Sequence, residues 1–496
     1  MIMPCQHPQI SQIAKLDVFQ ELLGDLIDPQ LLPRFVAEVA DQIQYSVERF
    51  ARELVVAGFT PDFALTTARQ IVPKPVLYAM VIDFRSEEHT PAIPHFPQTA
   101  EGARQRQAYR GLQYELLAPG FVAYLFDQTI DEYNPNRREG TWVEQEIAQA
   151  ATRLPTTPHY YRDTLRQLLA FCLERAPAAL HMRDLPPDFR AYWLLAPYIR
   201  RLSQAGIQPP EIADVLYTVS DVLVHEHLGS LAYNRGRYAD RRFVRPIDFV
   251  DDTRGVARTP QVDTPEETVA RCALRGQGYL MISVSQYLVK QIDFRYDPQV
   301  GDYVGRLRDG LRHPPVRRML QQFPFIVECM RLYEVVVKVG DDLGDVALDQ
   351  ERGALNWITA GEAALEAFIR ISRIEETAIE SEALKERFVA LMRGTVRYLQ
   401  EQQSASPAGV AARLNTITDW LLPLEQAITR AMLGYLSQDL QEAGLEDENV
   451  QKHLRLFIRI MREVVFGSII NARYNDESAE ALGTHFSLGE STEDER

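Results

Sequence analysis

LLPRFVAEVADQIQYSVERFARELV, residues 31 to 55, repeats its apolar side chains at intervals of three and four. That spacing lines one side of an α-helix. HLRLFIRIMREVVFGSIINARY, residues 453 to 474, does the same near the other end of the chain, and most long segments between them follow suit. Strand-like alternation is hard to find. Prolines at Pro61, Pro73, Pro155, Pro158, Pro186, Pro209, Pro314 and Pro407 fall where such helices would start or stop. The pattern predicts an all-α fold, a large helical bundle.

The remaining composition narrows the function. A chain of 496 residues, 46% hydrophobic, can bury a substantial core. A net charge of -16 argues against a general nucleic-acid binder, which needs lysine and arginine to neutralise phosphates. Cys5, Cys172, Cys272 and Cys329 form no CxxC pair, which fits a reducing cytoplasm better than a disulfide framework or a zinc ribbon. The opening MIMPCQHPQISQIAK lacks the basic start and long apolar run expected of a signal peptide, and no stretch reaches the roughly 18 uncharged apolar residues of a membrane span. A soluble, cytoplasmic protein without stable membrane insertion is expected. Residues 1–30 read as an N-terminal extension, 31–475 as the helical region, and 476–496 as an acidic flexible tail. Two stretches, 86 to 102 and 242 to 267, read as long loops.

Two acidic clusters each close an apolar, aromatic run. In KVGDDLGDVALDQERGALN, residues 338 to 356, Asp341, Asp345 and Asp349 recur every fourth residue and would stack along one side of a helix. Like charges so placed repel, so a cation is required to offset them. In APGFVAYLFDQTIDEYNPNRREG, residues 118 to 140, Asp127 and Asp131 are also four apart and Glu132 adjoins them. FVAYLF precedes one cluster and RLYEVVVKV the other, with Tyr124, Phe126, Tyr333 and Trp357 nearby. Carboxylates at the mouth of an apolar cavity suit the ionisation of an allylic diphosphate. Hard oxygen ligands hold Mg²⁺, the metal meets phosphate oxygens, and apolar and aromatic walls shelter a carbocation.

The second cluster resembles the second metal motif of class I terpene synthases, (N/D)D-x-x-(S/T)-x-x-x-E. Asp341 falls at the first ligand position, Asp345 at the middle and Asp349 at the last, with aspartate replacing Ser/Thr and Glu. The same string is similar to the aspartate motifs of squalene and phytoene synthases and of chain-elongating prenyltransferases. FDQTIDEY resembles a reduced form of the family's first aspartate-rich motif, with Asp127, Asp131 and Glu132 as matches. The resemblance implies a bundle of the class I isoprenoid synthase type with extra helices, including an insertion around 140–270. It also implies three Mg²⁺ ions, a prenyl diphosphate substrate and possible homodimers. For the diphosphate-sensing arginine the match is Arg295, for the family's C-terminal Arg-Tyr pair Arg473 and Tyr474, and Arg352 is a further arginine within reach. The two metal-bearing helices should then face each other across the cavity.

Other readings stand beside this one. The 341–349 run could be a solvated face neutralised by Lys338 and Arg352, and the 127–132 cluster a helix end paired with Arg137 and Arg138. Asp214, Asp221, His225, Glu226 and His227 share one helical segment. They match neither the di-iron nor the zincin spacing, but Asp221 and Glu226 are the runner-up first metal motif. A prenyltransferase that elongates or condenses isoprenoids, and a non-enzymatic helical protein docking basic partners by its acidic faces, are the alternative functions.

Overall fold

A computed structural model describes residues 32–56, 60–73, 75–76, 79–80, 96–131, 169, 172, 193–213, 216, 285–308 and 323. It continues through 325–326, 328–330, 332–333, 335–340, 342, 357–376, 382–401, 407–437, 451, 454–455, 458 and 462. Within these the chain is mostly helical: α1 Leu32–Val56, α2 Pro61–Ile71, α3 Ala100–Leu116, α4 Ala118–Asp131 and α5 Ala196–Gln204 come first. After a hairpin of β1 Ile292–Asp297 and β2 Asp302–Leu307 come α6 Trp357–Ala360, α7 Glu362–Ser372, α8 Glu382–Glu401 and α9 Pro407–Ser437. Pro61 and Pro407 do begin helices, a position where proline costs no intrahelical hydrogen bond.

The periodicity explains the burial. In α1, Phe35, Val39, Ile43, Val47, Phe50 and Leu54 form the inward stripe, all nearly inaccessible to solvent. Gln42 shares that buried side and is satisfied, donating to Ser46 Oγ at 3.0 Å and to the Arg110 carbonyl of α3 at 3.1 Å. Helix α8 buries Phe388, Val389, Met392 and Val396 in the same rhythm. Around α1, the helices α2, α3, α4 and α5 pack on one another; α6, α7, α8 and α9 form a second set, and one continuous apolar core joins the two.

The 86 to 102 loop expectation is corrected at its end. Thr99 caps α3, its side chain accepting from Gly102 N at 3.0 Å, and the helix starts at Ala100. A second correction is the hairpin, an antiparallel pair in the register Ile292↔Leu307 to Asp297↔Asp302. Ile292, Phe294 and Tyr296 face inward with Tyr303, Gly305 and Leu307, so the period here is two. Gly305 lies opposite Phe294, and a Cβ there would stand 2.6 Å from that ring and 3.0 Å from Ala205 Cβ. The hairpin packs on α3 and α5 through this face. The 242 to 267 loop, the 1–30 extension, the acidic tail and nearly all of the 140–270 insertion lie outside the described residues.

Candidate functional site

Asp127 and Asp131 belong to the last two turns of α4, whose backbone is described to Asp131 but whose side chains from 126 onward are not. Glu132, Asp341, Asp345, Asp349, Arg352, Arg473 and Tyr474 lie outside the described residues, as do Asp214, Asp221, His225, Glu226 and His227. Whether the two clusters face each other is therefore outside the description too. Among the described residues no group of three or more His, Cys, Asp or Glu is disposed to hold a metal ion. Arg295 lies on the outward face of β1, its side chain 83% exposed, and pairs at 2.8 Å with Asp293 two residues before it. On a strand that spacing puts both on the same face, so the partner of Arg295 is local.

The described residues between 325 and 342 are helical, and this segment leads into the acidic run. Leu332, Tyr333, Val335, Val336, Val337 and Val339 are all at most 1% exposed, and no described residue from Leu332 to Asp342 is exposed. Burial also pushes the Cys329 thiol up to about 12, which keeps it protonated and unreactive at neutral pH. Inside this apolar surround Lys338 Nζ meets Asp342 Oδ1 at 2.7 Å, one turn on, with the two side chains 5% and 2% exposed. One carboxylate of the run is thus turned into the core, and it is Asp342, not singled out by the every-fourth spacing.

A second polar group, on α9, meets the same segment at Tyr333. The inward stripe of α9 runs Ile417, Leu421, Leu424, Ile428, Met432 and Leu436, and the buried Glu425 and Thr429 interrupt it. Thr429 Oγ1 donates to Glu425 Oε1 at 2.8 Å, and Arg462 Nε donates to the same oxygen at 3.0 Å. Tyr333 Oη stands 2.5 Å from Thr429 Oγ1. A hydroxyl has one proton, and Thr429 gives its own to the carboxylate, so the phenol must be the donor. Burial first, and then the charge of Glu425, hold the Tyr333 hydroxyl well above its ordinary value, so it keeps that proton. Glu425 is 0% exposed while Arg462 is 38% exposed, and among the described residues Arg462 has no other partner.

A third charged assembly lies in the first helical set. Glu115 of α3 accepts from Arg49 of α1 at 2.9 Å through one oxygen and from Arg201 of α5 at 2.6 Å through the other. Arg201 also reaches Asp302 Oδ2 at 2.8 Å and the Tyr303 carbonyl at 2.9 Å, tying β2 to the bundle. Arg49 continues to Glu53 at 3.2 Å, whose other oxygen accepts from Tyr114 Oη at 2.6 Å, and its guanidinium lies 4.3 Å from that ring's centre. Each arginine here is shared between two carboxylates. Burial pulls Arg49 down, but Glu53 and Glu115 outweigh it and hold its pKa above the ordinary arginine value.

No family model matches the sequence, and no curated protein and no solved structure matches it either. Sequence reasoning missed Asp342, Glu425, Thr429 and Arg462. For Glu425 and Thr429 the signal was present: in WLLPLEQAIT, two polar residues four apart occupy an otherwise apolar stripe. For Arg462 there was none.

Proposed function

We propose that this chain is a Mg²⁺-dependent class I isoprenoid synthase of the terpene synthase type, which ionises a linear prenyl diphosphate and converts the cation to a cyclic or rearranged hydrocarbon or alcohol. One observation carries this choice over a solvated acidic face: every described residue from Leu332 to Asp342, in the segment leading into the acidic run, is buried, with Lys338 and Asp342 inside the core. A surface charge run would continue a helix with a solvated side, whereas the described residues from Leu332 to Asp342 are all buried, the charged Lys338 and Asp342 among them.

Asp341, Asp345 and Asp349, with Asp127, Asp131 and Glu132, are the proposed ligands, hard oxygen donors of the kind Mg²⁺ takes. Bound Mg²⁺ would supply the charge that a leaving diphosphate needs, since the protein's own excess is acidic. Of the proposed arginines, Arg352 and Arg473 remain in that role. Arg295, paired locally on an exposed strand, is the weaker choice.

The test is incubation of the purified chain with prenyl diphosphates from geranyl to geranylfarnesyl, with Mg²⁺ or with EDTA, followed by solvent extraction. Metal-dependent formation of a hydrocarbon or terpene alcohol from at least one of them is expected. No product from any substrate, or equal product in EDTA, would refute the proposal. A product longer than its substrate only when isopentenyl diphosphate is added would assign a prenyltransferase instead.

A further inference from the structure

Glu425 is the least economical residue in the second helical set: a carboxylate with no exposure, placed where α9 otherwise presents leucine and isoleucine. An ion in such a place costs more than an apolar residue of similar size unless it is held by strong, well-directed partners. Among its partners, both on Oε1, are Thr429, which passes the hydrogen-bond chain on to Tyr333, and Arg462. Thr429 and Tyr333 are anchored in the core at 7% and 0% exposure. They fix the carboxylate from the inside, and the carboxylate fixes Arg462 from below by Nε alone. A guanidinium carries five donors in a planar fork. With Nε spent on Glu425 and no other partner among the described residues, the terminal nitrogens of Arg462 form an oriented, partly exposed pair. That pair matches two oxygens of a phosphate or carboxylate.

We propose that Arg462 is an oxyanion-binding residue with Tyr333, Thr429 and Glu425 as the relay that positions it, and that its ligand is the phosphate end of a phosphate or diphosphate ester. The proposed function enters only in choosing phosphate over carboxylate. Tyr333 precedes Asp342 by nine positions, about 14 Å of helix rise. The relay therefore meets the segment well before the acidic run, and the proposed binding at Arg462 is by its own guanidinium, without a metal ion.

Calorimetric titration of the full chain with inorganic pyrophosphate in EDTA reads this site, while the same titration in Mg²⁺ reads the acidic clusters as well. The parent should bind in EDTA. Arg462→Gln should weaken that binding roughly tenfold or more, the scale of a lost charge-assisted bond. Glu425→Gln keeps the shape but removes the anion that orients Arg462, and should weaken it by a smaller factor. If Arg462→Gln does not fold, Arg462→Lys keeps the charge without the fork and should show the same weakening. No binding by the parent in EDTA, or unchanged binding in a folded Arg462 variant, overturns the proposal. A purely structural clamp would lower the melting temperature of these variants and leave pyrophosphate affinity unmoved. In the Asp341→Ala/Asp345→Ala/Asp349→Ala variant the EDTA-resistant binding should survive, and its loss also counts against an Arg462 site. If the parent binds in EDTA but gains nothing from Mg²⁺, the proposed function fails while the Arg462 site stands.

Discussion

Two groups of charged residues sit inside this bundle and are built in opposite ways. Around Arg49, Glu53, Glu115, Arg201 and Asp302 acids and bases alternate, each arginine is shared by two carboxylates, and the chain of contacts crosses α1, α3, α5 and β2. Around the pairs Lys338–Asp342 and Glu425–Arg462 the carboxylates are deeper than any in the first group, and Arg462, at the rim, gives one nitrogen to Glu425. Crowded charge is thus no sign of a site by itself. In the first group every charge is answered by another, which fastens the hairpin to the helices. In the second, ions stand in an apolar interior where packing alone would have preferred leucine, Lys338 and Asp342 on the segment that leads into Asp341, Asp345 and Asp349, and Glu425 on α9.

The largest effect on folding should come from splitting the Lys338–Asp342 pair. Lys338→Ala or Asp342→Ala leaves its partner charged and buried, with an expected loss of about 3–5 kcal/mol in denaturant unfolding. The double variant Lys338→Met/Asp342→Leu should recover most of that loss. If each single variant costs less than about 1 kcal/mol, the segment is not core and the contrast collapses.

Breaking the first group should cost less and touch no ligand. Glu115→Gln removes the charge shared by Arg49 and Arg201, both of which keep a second carboxylate, and an expected cost of about 1–3 kcal/mol follows. Pyrophosphate affinity, with or without Mg²⁺, should be unchanged; a drop of tenfold would erase the distinction between the two groups.

Crowding the hairpin comes next. Gly305→Val places a side chain against Phe294, Ile292 and Ala205, and about 1–3 kcal/mol should be lost, read as a lowered melting temperature. An unchanged melting temperature would show that β2 does not seat on α5 as described.

The smallest effect concerns pH. Burial raises the pKa of Glu53 above the ordinary glutamate value, despite the opposing hydrogen bonds from Tyr114 and Arg49. A carboxyl raised on folding adds stability that is complete below the unfolded value, about 4.3, and is lost as pH rises through the higher folded value. Glu53→Gln should therefore flatten the fall in stability between about 4.3 and that higher value. A parent whose stability rises with pH there, and a variant that removes the rise, would give the opposite sign.

How far the sequence carried can be judged residue by residue. Helix α1 was legible because Phe35 to Leu54 obey one period and the core accepts them all. The hairpin was not, although IDFRYD and DYVGRL alternate on either side of PQVG, because six-residue alternations are easily lost among helical periods. The every-fourth rule selected Asp341, whereas a step of one residue turns a helical side chain by about 100° and the buried one is Asp342. In sequence, positions 338, 342, 345 and 349 also fall on one helical stripe, so the spacing alone admitted both choices. Glu425 and Thr429 show the deeper limit: a glutamate in an apolar stripe reads as an ordinary polar position until the neighbours that enclose it are known.

The claim at the centre is that the acidic run serves a metal and a diphosphate. Diphosphate release from the preferred prenyl diphosphate, followed in Mg²⁺ and in EDTA for the parent and for Asp341→Ala/Asp345→Ala/Asp349→Ala, tests it most directly. Release by the parent that needs Mg²⁺ and falls by roughly a hundredfold or more in the variant, with an unchanged circular dichroism spectrum, is the predicted result. Equal release by parent and folded variant, or none by either on any chain length, would contradict it.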